Sequence, residues 1–147
     1  MIFWIAAGVF IVDRITKSIV INHIFMGQSM KVIPGIFNFT LVLNTGTAFG
    51  LFKGQRIIFI LFSFAVIGAI VGYILKHKEM NSVFTWALGL ILGGAAGNLL
   101  DRIAHGCVID FLDFRVWPVF NIADSCITIG VAILVLNMWA TNSRSKA

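Results

Sequence analysis

Three stretches of the chain carry no charge and little polarity. Residues 57–75, IIFILFSFAVIGAIVGYIL, are apolar almost all round a helix. At about 1.5 Å per residue such a helix covers roughly 28 Å, close to one hydrocarbon core. Residues 83–100, VFTWALGLILGGAAGNLL, and residues 125–141, SCITIGVAILVLNMWAT, show the same pattern. Each predicts a transmembrane helix, since a helix satisfies its own backbone in lipid. Residues 1–24 are also apolar but are interrupted by Asp13, Arg14 and Lys17. A secretory leader is one reading of this segment. No basic stretch precedes its apolar run, however, and no A-x-A-like site follows. In a helix Asp13 and Lys17 are i and i+4, one turn apart on one face, where an ion pair lowers the cost of burying both. The segment is read as a retained fourth span with an internal polar face.

Between the first two spans the period changes. Phe37, Phe39, Leu41 and Leu43 alternate with Asn38, Thr40 and Val42, which predicts a short strand or hairpin within residues 25–55. Gly46 and Gly50 punctuate a turn after it. The expected fold is an α-helical integral membrane protein with four transmembrane helices, one membrane-embedded domain over residues 1–147. No internal repeat is visible, which counts against the inverted-repeat plan of many transporters.

Composition agrees: 59% of the 147 residues are hydrophobic, 12% are charged, and the mean hydropathy is +0.98. A soluble domain needs more charge on its surface. The net charge of +5 is scattered among apolar segments, with no basic stripe to suit nucleic acid. Four spans put both termini on one side with Lys76, Lys78, Arg144 and Lys146, against Lys31, Lys53, Arg56, Arg102 and Arg115 on the other. Counting therefore leaves orientation open. If Arg102 and Arg115 belong to a polar site, the balance tilts to cytoplasmic termini. Cys107 and Cys126 with His105 fall short of a zinc site's ligand set, so no metal is expected. A disulfide between the two cysteines is left open.

The concentration of acid is the unusual feature. VIDFLDFRVWPVFNIADS, residues 108–125, holds three of the six acidic residues. Carboxylates at membrane depth are costly unless paired or used. Read as extended chain, Asp110 and Asp113 point to opposite sides, so only one of them can share a site with Asp124 at the start of the last span. Two such carboxylates would share a proton, the arrangement of an aspartic protease. An Asp that caps the last helix and pairs with Arg102 or Arg115 fits the residues equally well. In GGAAGNLLDR, Gly93 and Gly97 form a G-x-x-x-G packing face. Asn98 and Arg102 project together from the helix end; Arg102 could bind a phosphate or carbonyl, orient a substrate or neutralise Asp101, and on the residues alone the pairing with Asp101 is the expected one. NTGTAFG, residues 44–50, reads as a turn whose small residues also allow close approach of a ligand.

In combination, VDRITK, NTGTAFG, GGAAGNLLDR, VIDFLDF and FNIADS, in this order in a four-span chain, resemble the lipoprotein signal peptidase family, bacterial signal peptidase II. The resemblance covers nearly the whole chain. It implies an intramembrane aspartic endopeptidase that removes signal peptides from prolipoproteins. Cleavage would fall just before a cysteine already carrying diacylglycerol, in the bacterial inner membrane near its outer face. It implies Asp110 and Asp124 as the catalytic pair. Asn44, Asn98, Arg102, Asn121 and Ala123 would line the site or steady the pair, and Asp13, Lys17 and Asp101 would be structural. A small sheet in the 25–55 region would cradle substrate on the outer face. Membrane lipids are the other expected partner, and neither cofactor nor nucleic acid is implied. The rival reading is a small proton-coupled transporter or channel using the same acids with Arg102 as a relay.

Overall fold

The computed structural model describes residues 1–46, 54–77 and 80–144, the last three by backbone alone. Four helices, α1 (Ile2–His23), α2 (Arg56–Lys76), α3 (Ser82–His105) and α4 (Ile122–Arg144), frame a sheet of β1 (Ser29–Ile33), β2 (Phe37–Asn44) and β3 (Val108–Asp113). Among the described residues three helices, α2, α3 and α4 over Ile122–Thr141, are long and apolar enough to cross a membrane. α1 is as long, but Asp13, Arg14 and Lys17 set its composition apart.

α3 is the central post, packed against α1, α2 and α4. Its glycines make this possible. A Cβ on Gly93 would sit 2.5 Å from the Ala6 carbonyl of α1, and one on Gly94 would sit 2.5 Å from the Ala123 carbonyl of α4. The expected G-x-x-x-G face is present, and Gly94 adds a second close approach on the other side. α3 runs past its apolar stretch to His105, carrying Asp101 and Arg102 inside the helix. It stops at Gly106, whose φ of 76° closes the helix with an N–H bond to the Arg102 carbonyl.

The expected hairpin forms over residues 29–44, turning at Pro34–Gly35 with an Ile36 N–H bond to Ile33 O, the geometry in which Pro and Gly fit the two central positions. Two features differ from the sequence expectation. The sheet has a third strand, β3, delivered by the connection between α3 and α4 and paired antiparallel to β2. The alternation in β2 also changes phase, because an irregularity in the pairing lies between Phe39 and Val42. Asn38 and Leu41 are consequently the buried residues of that strand. Leu41 joins Val20, Ile24, Ile109 and Phe111 in a core that seats the sheet on the end of α1. Gly50, Lys53, Lys78 and Lys146, used above for turn or orientation, lie outside the described residues.

Candidate active site

β3 brings Asp110, and the first turn of α4 brings Asp124, to one cavity of about 650 Å³ that Asn44 and Arg102 also line. Asn121 is the N-cap of α4: its Oδ1 accepts the N–H of Asp124 at 2.8 Å. Asp124 is therefore not the cap, so its carboxylate is left for another use. Asn121 Nδ2 donates to Asp110 Oδ1 at 2.7 Å and to Asn98 Oδ1 at 3.1 Å. Asn98 Nδ2 donates to Asp124 Oδ1 at 2.7 Å. On the far side Asn44 Nδ2 donates to Asp110 Oδ2 at 2.9 Å, while Gly46 N–H bonds back to Asn44 Oδ1 at 2.9 Å and fixes the side chain. Three amides from three elements thus hold the two acids. Ala123 is fully buried against Gly94 and Gly97, where a larger residue would strike α3.

Among the described residues, neither Asp110 nor Asp124 forms an ion pair. Burial and the charge of Asp124 push the Asp110 carboxyl up to about 7, against the opposing pull of the Asn44 and Asn121 donors and Lys17. Asp113 behaves oppositely. Burial raises it, but the Thr40 hydroxyl and the N–H, charge and side chain of Arg115 together outweigh that and leave it below the usual carboxylate range. It faces Thr40 of β2 at 2.8 Å, away from the cavity, as the period-two reading requires.

The structural trio is joined by a residue that sequence reasoning passed over. Lys17 Nζ reaches Asp13 at 3.0 Å, Asp101 at 2.7 Å and Asn98 Oδ1 at 3.0 Å, which uses all three ammonium hydrogens. Arg14 bonds both Asp13 and Asp101 at 2.6 Å. The signal was available: Arg14 and Lys17 are i and i+3 and share a helix face. The expected Asp101–Arg102 neutralisation is accordingly corrected. Asp101 is claimed by α1, and Arg102 stands 5.2 Å over the Phe59 ring while lining the cavity. Arg102 also borders a second apolar cavity of about 410 Å³ between α2, α3 and α4 that reaches Asp124. Phe114, Trp117 and Phe120 complete the outer wall of the first cavity, a role not assigned from sequence. Cys107 and Cys126 are both free thiols.

Two carboxylates held by neutral amides, at a mostly apolar cavity bordered by one arginine, can activate water and polarise a carbonyl. Comparisons with known proteins point the same way. Residues 5–140 match the family described as signal peptidase (SPase) II. A lipoprotein signal peptidase of Halothermothrix orenii is 42% identical over 139 residues, covering 95% of each chain. That of Desulfitobacterium hafniense strain DCB-2 is 44% identical over 148 residues, covering 99% of this chain and 98% of its own. A bacterial membrane enzyme solved by the in meso method at 2.3 Å superposes with a TM-score of 0.91 and 34% identity, covering 97% of this chain and 90% of that one. The chain belongs to the signal peptidase II family, which are proteases of lipoprotein precursors.

Proposed function

We propose that Asp110 and Asp124 hydrolyse the signal-peptide bond of diacylglyceryl-modified prolipoproteins by an aspartic mechanism, just before the lipid-bearing cysteine. The observation that carries this reading is the partner set of the two acids: amides from Asn44, Asn98 and Asn121 and, among the described residues, no ion-paired cation. Like charges in a shared low-dielectric site hold one proton between them. The ionised member takes a proton from water as it attacks the scissile carbonyl, and the protonated member donates to the carbonyl oxygen. Collapse of the tetrahedral intermediate breaks the C–N bond, and a proton returned from the pair leaves with the amine. Arg102, beside both acids in the cavity, orients the substrate backbone.

α1 is the fourth span. Its Asp13, Arg14 and Lys17 are matched by Asp101, Asn98 and the Gly97 carbonyl, which makes their burial tolerable in lipid. The C-terminal ends of α1 and α3 and the N-terminal ends of α2 and α4 all lead into the sheet or the dyad, so these lie at one end of the bundle. That end faces outward from the bacterial inner membrane, with the termini cytoplasmic. Lipid access from the side and water from outside then meet at the dyad. The test is cleavage of a prolipoprotein peptide with and without diacylglycerol on its cysteine. The modified peptide is cut before the cysteine and the unmodified one is left. Equal cleavage of both contradicts the substrate assignment.

A further inference from the structure

Each catalytic carboxylate follows a backbone N–H that is moored elsewhere. The Ile109 N–H, one residue before Asp110, donates to Asp101 Oδ2 at 3.3 Å. The Ala123 N–H, one residue before Asp124, donates to Asp13 Oδ1 at 3.2 Å. The strand and the helix that carry the dyad are therefore each tied to one member of the second acid pair. The distance between those ties is the distance between Asp13 and Asp101, and two cations span it. Lys17 does so with two of its hydrogens and gives the third to Asn98, the amide that holds Asp124.

Arg14 spans the same gap as a fork. Nη1 meets Asp101 Oδ1 and Nη2 meets Asp13 Oδ2, both at 2.6 Å, and Nη2 also reaches the Gly97 carbonyl at 3.2 Å. Its Nε is buried without a partner among the described residues, so the guanidinium is held where it serves the two acids and forgoes a hydrogen bond of its own. With Arg14 the group of Asp13, Asp101, Lys17 and Arg14 is neutral; without it the group is one charge negative.

We infer that Arg14 is a positioning residue for the dyad: its fork fixes the separation of the backbone segments bearing Asp110 and Asp124, and its charge leaves Lys17 free to hold Asn98. The inference rests on the reading of Asp110 and Asp124 as the catalytic pair. Among the described residues, the charges around that pair are Asp13, Arg14 and Lys17 from α1 and Asp101 and Arg102 from α3, with the Cys107 thiol beside β3. β2 contributes the neutral Asn44.

The experiment compares full-length wild type, Arg14→Gln and Arg14→Lys on a diacylglyceryl-modified prolipoprotein peptide. kcat and KM are measured from about pH 5 to 9, and thermal unfolding in detergent checks the fold. Arg14→Gln is expected to lower kcat about tenfold at unchanged KM, because the reacting geometry is lost and binding is not. It should also raise the alkaline limb of the pH profile by roughly half a unit, since the group beside the dyad becomes net negative. Arg14→Lys keeps the charge without the planar fork; its limb stays at the wild-type position and kcat falls only about threefold. A folded Arg14→Gln with wild-type kcat and limb overturns the inference, as does a loss confined to KM. Should Arg14→Gln not fold, Arg14→Lys decides, and a wild-type kcat in that variant contradicts the bridging role. Asp110→Asn is run alongside. If it stays active, the dyad reading itself falls, a result separate from any outcome at position 14.

Discussion

The molecule contains two pairs of buried aspartates that differ in what holds them. Asp13 and Asp101 meet Arg14 and Lys17 at 2.6–3.0 Å. Among the described residues, the side-chain partners of Asp110 and Asp124 are the amides of Asn44, Asn98 and Asn121 at 2.7–2.9 Å. Cations close by cancel a carboxylate's charge and make it a fixed strut. Amides give direction without cancelling charge, so two acids held this way compete for one proton and remain reactive. Asn98 touches both sets, accepting from Lys17 and donating to Asp124, and so links the two pairs.

The strongest way to break this comparison is to neutralise each pair in turn. Asp110→Asn and Asp124→Asn should each lower kcat by about 10³-fold or more, as expected for members of one catalytic unit. Asp110→Asn should also melt no lower than wild type above pH 7. The raised Asp110 pKa means the folded state binds its proton more tightly than the unfolded chain, so stability from this group is present at low pH and is lost as pH rises from about 4 through about 7. In the other pair the effect reverses. Lys17→Met strands two buried carboxylates with Arg14 alone and should cost about 3–5 kcal/mol, seen as a lower unfolding temperature. Between these lie the amides. Asn98→Ala and Asn121→Ala should each reduce kcat by about 10–100-fold while the unfolding temperature falls modestly. The wild-type rate itself should decline as pH rises through about 7, where the shared proton leaves the pair. Asp113→Asn sharpens the contrast from outside: the residue is bound to Thr40 and Arg115 away from the cavity, so its kcat should change by less than about twofold.

Much of this was readable before any coordinates. Apolar runs gave the extents of α2, α3 and α4 to within a few residues, and the i,i+4 spacing of Asp13 and Lys17 gave their contact. Period two separated Asp110 from Asp113 correctly because β3 is extended there. What could not be read was long-range. That β3 pairs with β2 follows from where α3 ends, and no local pattern encodes it. The same applies to Asp101, whose neighbour in sequence is Arg102 but whose partners lie 84 and 87 positions away, on α1. Adjacent residues on a helix point about 100° apart, which is why the nearest opposite charge in sequence was the wrong partner. The phase change in β2 likewise depends on a pairing irregularity that residue type does not announce.

The proposed mechanism requires Asp110 and Asp124 to share a proton, whereas Asp13 and Asp101 are held by cations. Infrared absorption in the protonated-carboxyl region tests it directly, on wild type, Asp110→Asn and Asp124→Asn as pH is raised. A shared proton predicts a band below about pH 7 that fades above it and is lost or shifted in both variants. A wild type with no protonated carboxyl near pH 6, or a band that both variants leave untouched, would contradict it.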